Sequence, residues 1–371
     1  MVRRKGRTTP LCSPLDSITQ AALGAVVGEL VLGRKIGWKG AAWGALLGTV
    51  PDLDILLTPF GDAADFLRWH RGLSHSVLVM LIMPLLLARP LARLHRRHGV
   101  TPGEAGLLVF LVWSTHVLID CFTSYGTQIW EPFSDSRFAF DNVFIIDLLF
   151  TAPMLLSLLV IFFHPPASRL RRTINFSALL LCCLYVALSF GMKAQATSKI
   201  RKAAEAAVPG GQLVAVTPTV SNVVLWRGLV ETGDSYFVTY WSPFDKTPGS
   251  FNGITKGHEL LAGWSGDKVA ETLKWFAKGH WVAAPGEDGA ILLAAMRMGE
   301  IRDPEAGIWR PVFQWELTPD EGSGQLKMGA AERPQMRVKE ALGLVWERLL
   351  GNRTRWEMAT EGVLGESESR P

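Results

Sequence analysis

Six long apolar segments fill the first half of the chain and constrain its fold more than any other feature. They are about Ser17–Gly33, Trp38–Leu57, Val77–Leu94, Ala105–Phe122, Val143–Phe163 and Ile174–Met192. A helix of about 20 apolar residues crosses a bilayer. The sequence therefore predicts a mainly α fold, a multi-pass transmembrane bundle of about five or six helices within residues 16–192. The alternative interpretation is a buried helical bundle of a soluble protein.

The second half of the chain, residues 193–371, has the mixed composition of a soluble domain. Alternating β-branched and aromatic residues predict strands near 214–220, 223–231, 236–241, 281–284, 290–298 and 311–317. Helices are predicted at 193–210, 268–277 and 337–350, with a loose tail from Gly351. This pattern predicts a small α+β soluble domain. Residues 1–15 form a basic N-terminal extension in which we expect no cleaved signal peptide.

Charge and cysteine content exclude several other classes of function. The net charge is only +4 and its basic residues lie in short clusters, so we expect no nucleic-acid partner. The four cysteines form no C-x-x-C pair, which argues against a disulfide framework or a cysteine zinc site.

Polar and ionisable side chains gather where five of the apolar segments begin or end. In a bundle of alternating helices with short connections, these ends fall on one side of the membrane. The residues are Asp16, Thr19, Gln20, Asp52, Asp54, His70, Arg71, His75, His116, Asp120, Asp141, Asn142 and Asp147. Such groups are costly at a membrane face and usually mark a functional site.

The chemistry of this set favours a divalent metal ion. His116 and Asp120 are four residues apart, so a helix presents both on one face. Imidazole and carboxylate ligands suit Zn²⁺, with Mn²⁺ or Fe²⁺ as alternatives, and their number allows one or two ions. A bound metal supplies a hydroxide nucleophile from water, and Arg71 is suited to clamp a phosphate or carboxylate. The predicted ligands are Asp52, Asp54, His70, His75, His116 and Asp120. The alternative is a metal-free polar cluster that holds the helices together.

Basic loops at the opposite helix ends predict the orientation. They contain Arg34, Lys35, Lys39, Arg89, Arg93, Arg96, Arg97, Arg169, Arg171 and Arg172. By the positive-inside rule that side is cytoplasmic. The polar site and the C-terminal domain are then extracytoplasmic, although the basic N-terminus and Lys193–Lys202 oppose this orientation.

Several stretches, in order, resemble the YdjM family of membrane-bound metal-dependent hydrolases of bacteria. They are Asp16–Ala25, Gly48–Asp54, His70–Ser76, His116–Gln128, Pro132–Asp135 and Phe144–Asp147. The resemblance covers about residues 16–192, and Val223–Arg227, Trp275–Gly279 and Arg297–Gly299 resemble the appended domain of longer members. It implies a multi-pass bacterial inner-membrane protein. It also implies a metal site formed by the six predicted ligands together with Asp147, although many relatives carry histidine where this chain has Gln20.

These observations together predict a membrane-bound metal-dependent hydrolase. Metal-activated water would attack an ester or phosphoester of a lipid or other anionic, lipid-linked substrate, with Arg71 and Asp147 as catalytic residues. Ser74 is expected to cap a helix rather than act as a nucleophile. Two alternatives stay open: a metal-independent lipid phosphatase with a histidine nucleophile oriented by Asp120, and a non-enzymatic membrane scaffold or ion-binding protein.

Overall fold

The computed structural model describes residues 14–246, 249–302, 309–330, 338–353 and 356. The predicted extension 1–15 and the tail from Gly351 lie almost wholly outside these described residues. The chain divides into two compact units, one of Met1–His116 with Met154–Phe176 and one of Val117–Pro153 with Ser177–Pro371.

Among the described residues, the N-terminal region contains seven α-helices. In chain order they are α1 (Pro14–Ile36), α2 (Trp38–Thr49), α3 (Ala63–Trp69), α4 (Val77–Leu94), α5 (Pro102–Phe122), α6 (Leu148–Phe163) and α7 (Arg169–Ala207). Three of them, α4, α5 and α7, are long and apolar enough to cross a membrane. A fourth candidate span is α2 joined to the 3₁₀ helix Pro51–Phe60, with a bend of 41° between them. The region is therefore mainly helical, with three or four candidate spans among the described residues.

Glycine governs the packing of α1 against α2. A Cβ atom on Gly24 would lie 2.2 Å from the carbonyl oxygen of Gly44, and one on Gly28 would lie 2.2 Å from that of Gly40. These distances are far inside van der Waals contact, so only glycine allows the two backbones to approach this closely. The close approach fixes the end of α2, where Gly48 lies.

In the part of the second unit that the structure describes, the strands form three antiparallel sheets. Their strands are β1 (Gln212–Pro218), β2 (Trp226–Glu231), β3 (Ser235–Trp241), β4 (Asn252–Thr255), β5 (Trp281–Pro285), β6 (Ile291–Ala295), β7 (Glu300–Arg302), β8 (Trp309–Pro311), β9 (Gln314–Pro319) and β10 (Leu326–Ala330). The strand orders are β1-β2-β3-β4, β10-β9-β6-β5 and β7-β8. The described residues of this unit also form two α-helices, α8 (Lys268–Phe276) and α9 (Val338–Leu349).

Both four-stranded sheets contribute to one hydrophobic core. Leu229 from β2, Val282 from β5 and Leu344 from α9 belong to the same buried cluster. The C-terminal region is thus a sheet-containing domain, as the alternating pattern predicts. Helix α7 runs on to Ala207, through the domain boundary predicted at residue 193.

Candidate metal centre

The bend between α2 and the 3₁₀ helix Pro51–Phe60 positions the first acidic residue. Helix α2 stops at Thr49, and Pro51 opens the 3₁₀ helix that follows. Proline tolerates the first helical position but cannot continue an α-helix, so the chain turns there. Asp52 comes directly after this turn, with a side chain that is 12% exposed.

The His70–Ser76 segment is a tight turn that ends at α4. Arg71 takes a left-handed backbone conformation with φ of 58°. A short 3₁₀ helix, Leu73–His75, follows. The side chain of Ser76 then accepts a hydrogen bond from the Val79 backbone N–H and caps α4. The prediction that Ser74 is the cap was therefore wrong, because the helix begins two residues later than that role requires.

His75 and His116 point their Nε2 atoms at each other across 3.0 Å. The Nδ1 of His116 lies 2.7 Å from the carbonyl oxygen of Gly48. A carbonyl can only accept, so Nδ1 carries the proton and Nε2 presents a lone pair. This is the backbone contact that typically fixes the tautomer of a metal-binding histidine.

One of the two possible directions of the Ser74–His75 hydrogen bond gives His75 the same polarity. Its Oγ lies 2.9 Å from His75 Nδ1 and 3.2 Å from an oxygen of Asp54. When the hydroxyl donates to the carboxylate, its oxygen accepts from Nδ1, and the Nε2 of His75 is also left unprotonated. Two facing lone pairs 3.0 Å apart repel each other, so this tautomer pair favours a cation shared between the rings.

Asp52 completes the arrangement. One of its oxygens lies 3.4 Å from His75 Nε2 and 3.6 Å from His116 Nε2. Ligands of a tetrahedral zinc ion with bonds of about 2.0–2.1 Å lie roughly 3.3 Å from one another. Asp120, one turn after His116 on α5, offers a fourth ligand atom, and all four atoms lie within 4.8 Å of one another. The donor set fits a divalent ion in both chemistry and spacing.

Two other predicted ligands, Asp54 and His70, lie outside this four-residue cluster. They pair with each other, with His70 Nδ1 2.9 Å from an Asp54 oxygen. The other Asp54 oxygen accepts from the Arg71 backbone N–H at 3.0 Å. In this geometry Asp54 stabilises the turn through the Arg71 backbone and orients the ring of His75 through Ser74.

The predicted catalytic residues occupy separate positions. Arg71 is 1% exposed. Asp147 stands before α6, where one carboxylate oxygen accepts from the backbone N–H groups of Leu149 and Phe150. Its other oxygen accepts from the Tyr185 hydroxyl at 2.7 Å. Asp147 thus caps a helix, and the metal-binding cluster found among the described residues does not include it.

Sequence reasoning missed four supporting contacts. Gly48 orients His116 through its carbonyl, and Ser74 orients His75. Trp113 donates from Nε1 to the Ser74 carbonyl oxygen at 3.0 Å. Gln20 is buried and approaches the His116 carbonyl oxygen at 3.5 Å. The first two contacts involve residues inside the quoted stretches Gly48–Asp54 and His70–Ser76, which is the only sequence signal for them.

Comparisons with known proteins cover the region that holds this cluster. Residues 15–196 match the family described as YdjM inner membrane protein. Inner membrane protein YbcI of Escherichia coli (strain K12) is 34% identical over 125 residues, which are 33% of this chain and 69% of YbcI. The uncharacterized protein YfhP of Bacillus subtilis (strain 168) is 27% identical over 132 residues, 32% of this chain and 38% of YfhP. No solved structure shows a significant match.

Proposed function

The chain belongs to the YdjM inner membrane protein family, and on that premise we propose that it is a membrane-bound metal-dependent hydrolase. Its substrate is an ester or phosphoester of a lipid or lipid-linked molecule that reaches the site from the bilayer. The observation that carries this proposal is the pair of Nε2 atoms of His75 and His116, 3.0 Å apart and beside the Asp52 carboxylate.

The four-donor cluster of Asp52, His75, His116 and Asp120 would hold one ion. Mixed imidazole and carboxylate ligation favours Zn²⁺, with Mn²⁺ or Fe²⁺ as alternatives. A second ion would draw on Asp54 and His70. A bound divalent ion lowers the pKa of water and so supplies a hydroxide nucleophile near neutral pH.

The side chains around the cluster set its geometry and protonation. In this proposal the Ser74 hydroxyl donates a hydrogen bond to Asp54 and accepts one from His75 Nδ1, which leaves the Nε2 of His75 without a proton. In this proposal Arg71 orients an anionic group of the substrate. Asp147 stays a predicted catalytic residue; because it caps α6 and lies outside the metal-binding cluster, Asp147→Asn is expected to retain the metal, and a lower kcat in this variant would support the catalytic role.

The membrane topology is part of the proposal. Helices α1 and α6 would join the candidate spans α4, α5, α7 and the bent α2 segment, giving a multi-pass bundle in the bacterial inner membrane. The basic loops would face the cytoplasm, so the site and the C-terminal domain would be extracytoplasmic. We divide the chain into a basic extension (residues 1–15), a transmembrane domain (16–192) and a soluble domain (193–371). We expect no nucleic-acid partner.

Hydrolysis of lipid substrates by the purified full-length protein tests the activity. The assay would offer phosphatidylglycerol and a short-chain fatty acyl ester in mixed micelles, before and after treatment with a chelator. We expect activity to be lost on chelation and restored by Zn²⁺ or Mn²⁺, but absent at any metal level in His116→Ala. Hydrolysis that is indifferent to chelation would refute metal dependence.

One contact favours a second candidate function, a serine esterase. Ser74 Oγ lies 2.9 Å from His75 Nδ1, and His75 Nε2 lies 3.4 Å from Asp52. In the opposite tautomer, with the hydroxyl donating to Nδ1, this is a nucleophile, a general base and an orienting carboxylate. The esterase would survive chelation and be labelled on Ser74 by a fluorophosphonate.

A further inference from the structure

The second unit holds a compact group of charges that the proposed hydrolase does not use. Arg297 donates from Nη2 to an Asp141 oxygen at 2.9 Å. Lys193 Nζ lies 3.9 Å from the same oxygen and also donates to the Phe140 carbonyl. Lys278 is close enough that the charges of Arg297 and Asp141 act on it. We call Asp141, Lys193, Lys278 and Arg297 the Asp141 cluster.

The backbone is held in unusual conformations at two of these positions. Asp141 has φ of 52° and Lys278 also has φ of 52°. The left-handed region is energetically unfavourable for residues other than glycine, and they adopt it where surrounding contacts hold the backbone in place. At Asp141 those contacts are hydrogen bonds from Phe140 N to the Cys121 carbonyl and from Asn142 N to the Phe122 carbonyl, at 2.7 and 2.8 Å. Lys278 follows the last turn of α8.

The charges of the Asp141 cluster do not balance. Three cations surround one carboxylate, and the side chains of Asp141 and Arg297 are only 10% and 11% exposed. Burial and the positive charge of Arg297 lower the pKa of Lys278 to about 8. An additional negative charge would reduce the electrostatic repulsion between cations packed this closely and with little solvent around them.

A second feature points to what brings that charge. The other oxygen of Asp141, Oδ1, is buried and has no hydrogen-bond partner among the residues that the structure describes. A buried acceptor of this kind is normally satisfied. A ligand that carries both an anionic group for the cations and a hydroxyl for Oδ1 would satisfy the whole cluster.

The position of Lys193 indicates the source of the ligand. Lys193 is the first charged residue after the apolar stretch of α7, which is a candidate span. Basic residues at the end of a transmembrane helix lie at the level of the lipid headgroups. The Asp141 cluster therefore lies where an acidic headgroup is present at high local concentration.

We propose that the Asp141 cluster is a binding site for a phosphate-type anion, and that its occupant is the headgroup of an acidic phospholipid that bears a hydroxyl, such as phosphatidylglycerol. Lys193, Lys278 and Arg297 contact the phosphate, and the headgroup hydroxyl donates to Asp141. The site is independent of the proposed hydrolase, since none of its residues belongs to the metal cluster.

The test measures the melting temperature of the full-length protein in neutral detergent during titration with phosphatidylglycerol, phosphatidylcholine or inorganic phosphate. Ligands that bind only the folded state raise this temperature, and the titration yields an apparent affinity. We expect stabilisation by phosphatidylglycerol and not by phosphatidylcholine. The variants are Lys278→Asn, Asp141→Asn and the control Lys202→Asn, which removes an exposed cation from the C-terminal end of α7.

Lys278→Asn is expected to weaken phosphatidylglycerol binding by about tenfold to 100-fold, since it removes a charge-assisted contact. Asparagine tolerates a positive φ, and removing a crowded cation leaves the lipid-free protein at least as stable. Asp141→Asn removes the competing carboxylate and keeps an acceptor oxygen, so it should tighten binding of both phosphatidylglycerol and inorganic phosphate. Lys202→Asn should change neither.

Two results would overturn the proposal. The first is equal weakening by Lys278→Asn and Lys202→Asn, which indicates general attraction to an acidic surface. The second is weaker anion binding by Asp141→Asn, which indicates a structural ion pair. If inorganic phosphate binds as tightly as phosphatidylglycerol and displaces it, the anion site stands but the assignment to a lipid is refuted.

Discussion

Replacing Ser74 by alanine removes the side chain that links Asp54 to His75. The hydroxyl lies 2.9 Å from His75 Nδ1 and 3.2 Å from Asp54, so its loss frees the ring to rotate and to protonate at Nε2. Losing an outer hydrogen bond of this kind typically lowers metal affinity 10- to 100-fold, which is about 1.4–2.7 kcal/mol. Ser74→Ala should therefore bind Zn²⁺ about 10- to 100-fold more weakly.

Ser76, two residues away, is the matched control. Its side chain caps α4 and accepts from the Val79 backbone N–H at 3.2 Å. Ser76→Ala should cost about 1 kcal/mol of stability through the lost cap and leave zinc affinity unchanged. Competition with a chromophoric chelator at fixed pH gives the affinities, and thermal unfolding gives the stabilities. Unchanged zinc affinity in Ser74→Ala, or an equal loss in Ser76→Ala, would refute the assigned role of Ser74.

Three further outcomes follow from the packing and charge of the two units. Gly44→Ala places a Cβ 1.9 Å from a backbone oxygen of α1 and should destabilise the protein by more than about 2 kcal/mol. The control Gly191→Ala places its Cβ in open space and should be neutral or stabilising. Thermal unfolding in detergent distinguishes the two variants. Glu300→Gln leaves the buried Arg227 without its carboxylate and should cost about 3–5 kcal/mol in denaturant unfolding; a loss below 1 kcal/mol would contradict this. The pKa of Lys278 is about 8 in the folded chain and 10.5 in the unfolded chain. The contribution of Lys278 to the free energy of unfolding therefore rises with pH between those two values. The melting temperature of wild type relative to Lys278→Asn should rise over that range, and a flat difference would contradict the lowered pKa.

Local sequence signals predict the helices well where a cap or a proline marks their ends. Helix α4 begins and ends where the apolar stretch predicts, at Val77 and Leu94, because Ser76 caps its start and polar residues follow Leu94. Pro51 interrupts the second segment as its chemistry requires, and the span bends there.

The positions of the shortest strands cannot be predicted from local sequence signals in the same way. β4 and β10 have four and five residues, and each contains glycine, so neither shows a clear alternating pattern. Their positions depend on pairing with β3 and β9, which is tertiary information.

The candidate site was predictable as a set of residues but not as a set of contacts. Clustering at helix ends brings Asp52, His75 and His116 together in the prediction, and the structure gathers them. Spacing does not say that His70 pairs with Asp54, or that Ser74 rather than Ser76 contacts a histidine. Those choices depend on backbone conformation within the turn, and the sequence shows only that a turn is present.

The Asp141 cluster shows the same limit over longer distances. Lys193, Lys278 and Arg297 lie 52, 137 and 156 residues after Asp141 in the chain, and the four members come from a loop, the candidate span α7 and the sheet domain. No local pattern connects them, so only the folded chain places their charges together.

Metal content of the purified full-length protein tests the central claim most directly. Elemental analysis after dialysis against metal-free buffer should find about one divalent ion per chain. His75→Ala and Asp120→Ala should lose that ion, whereas His98→Ala, outside the cluster, should retain it. A wild-type protein with no bound metal, or a His75→Ala variant that keeps it, would contradict the account.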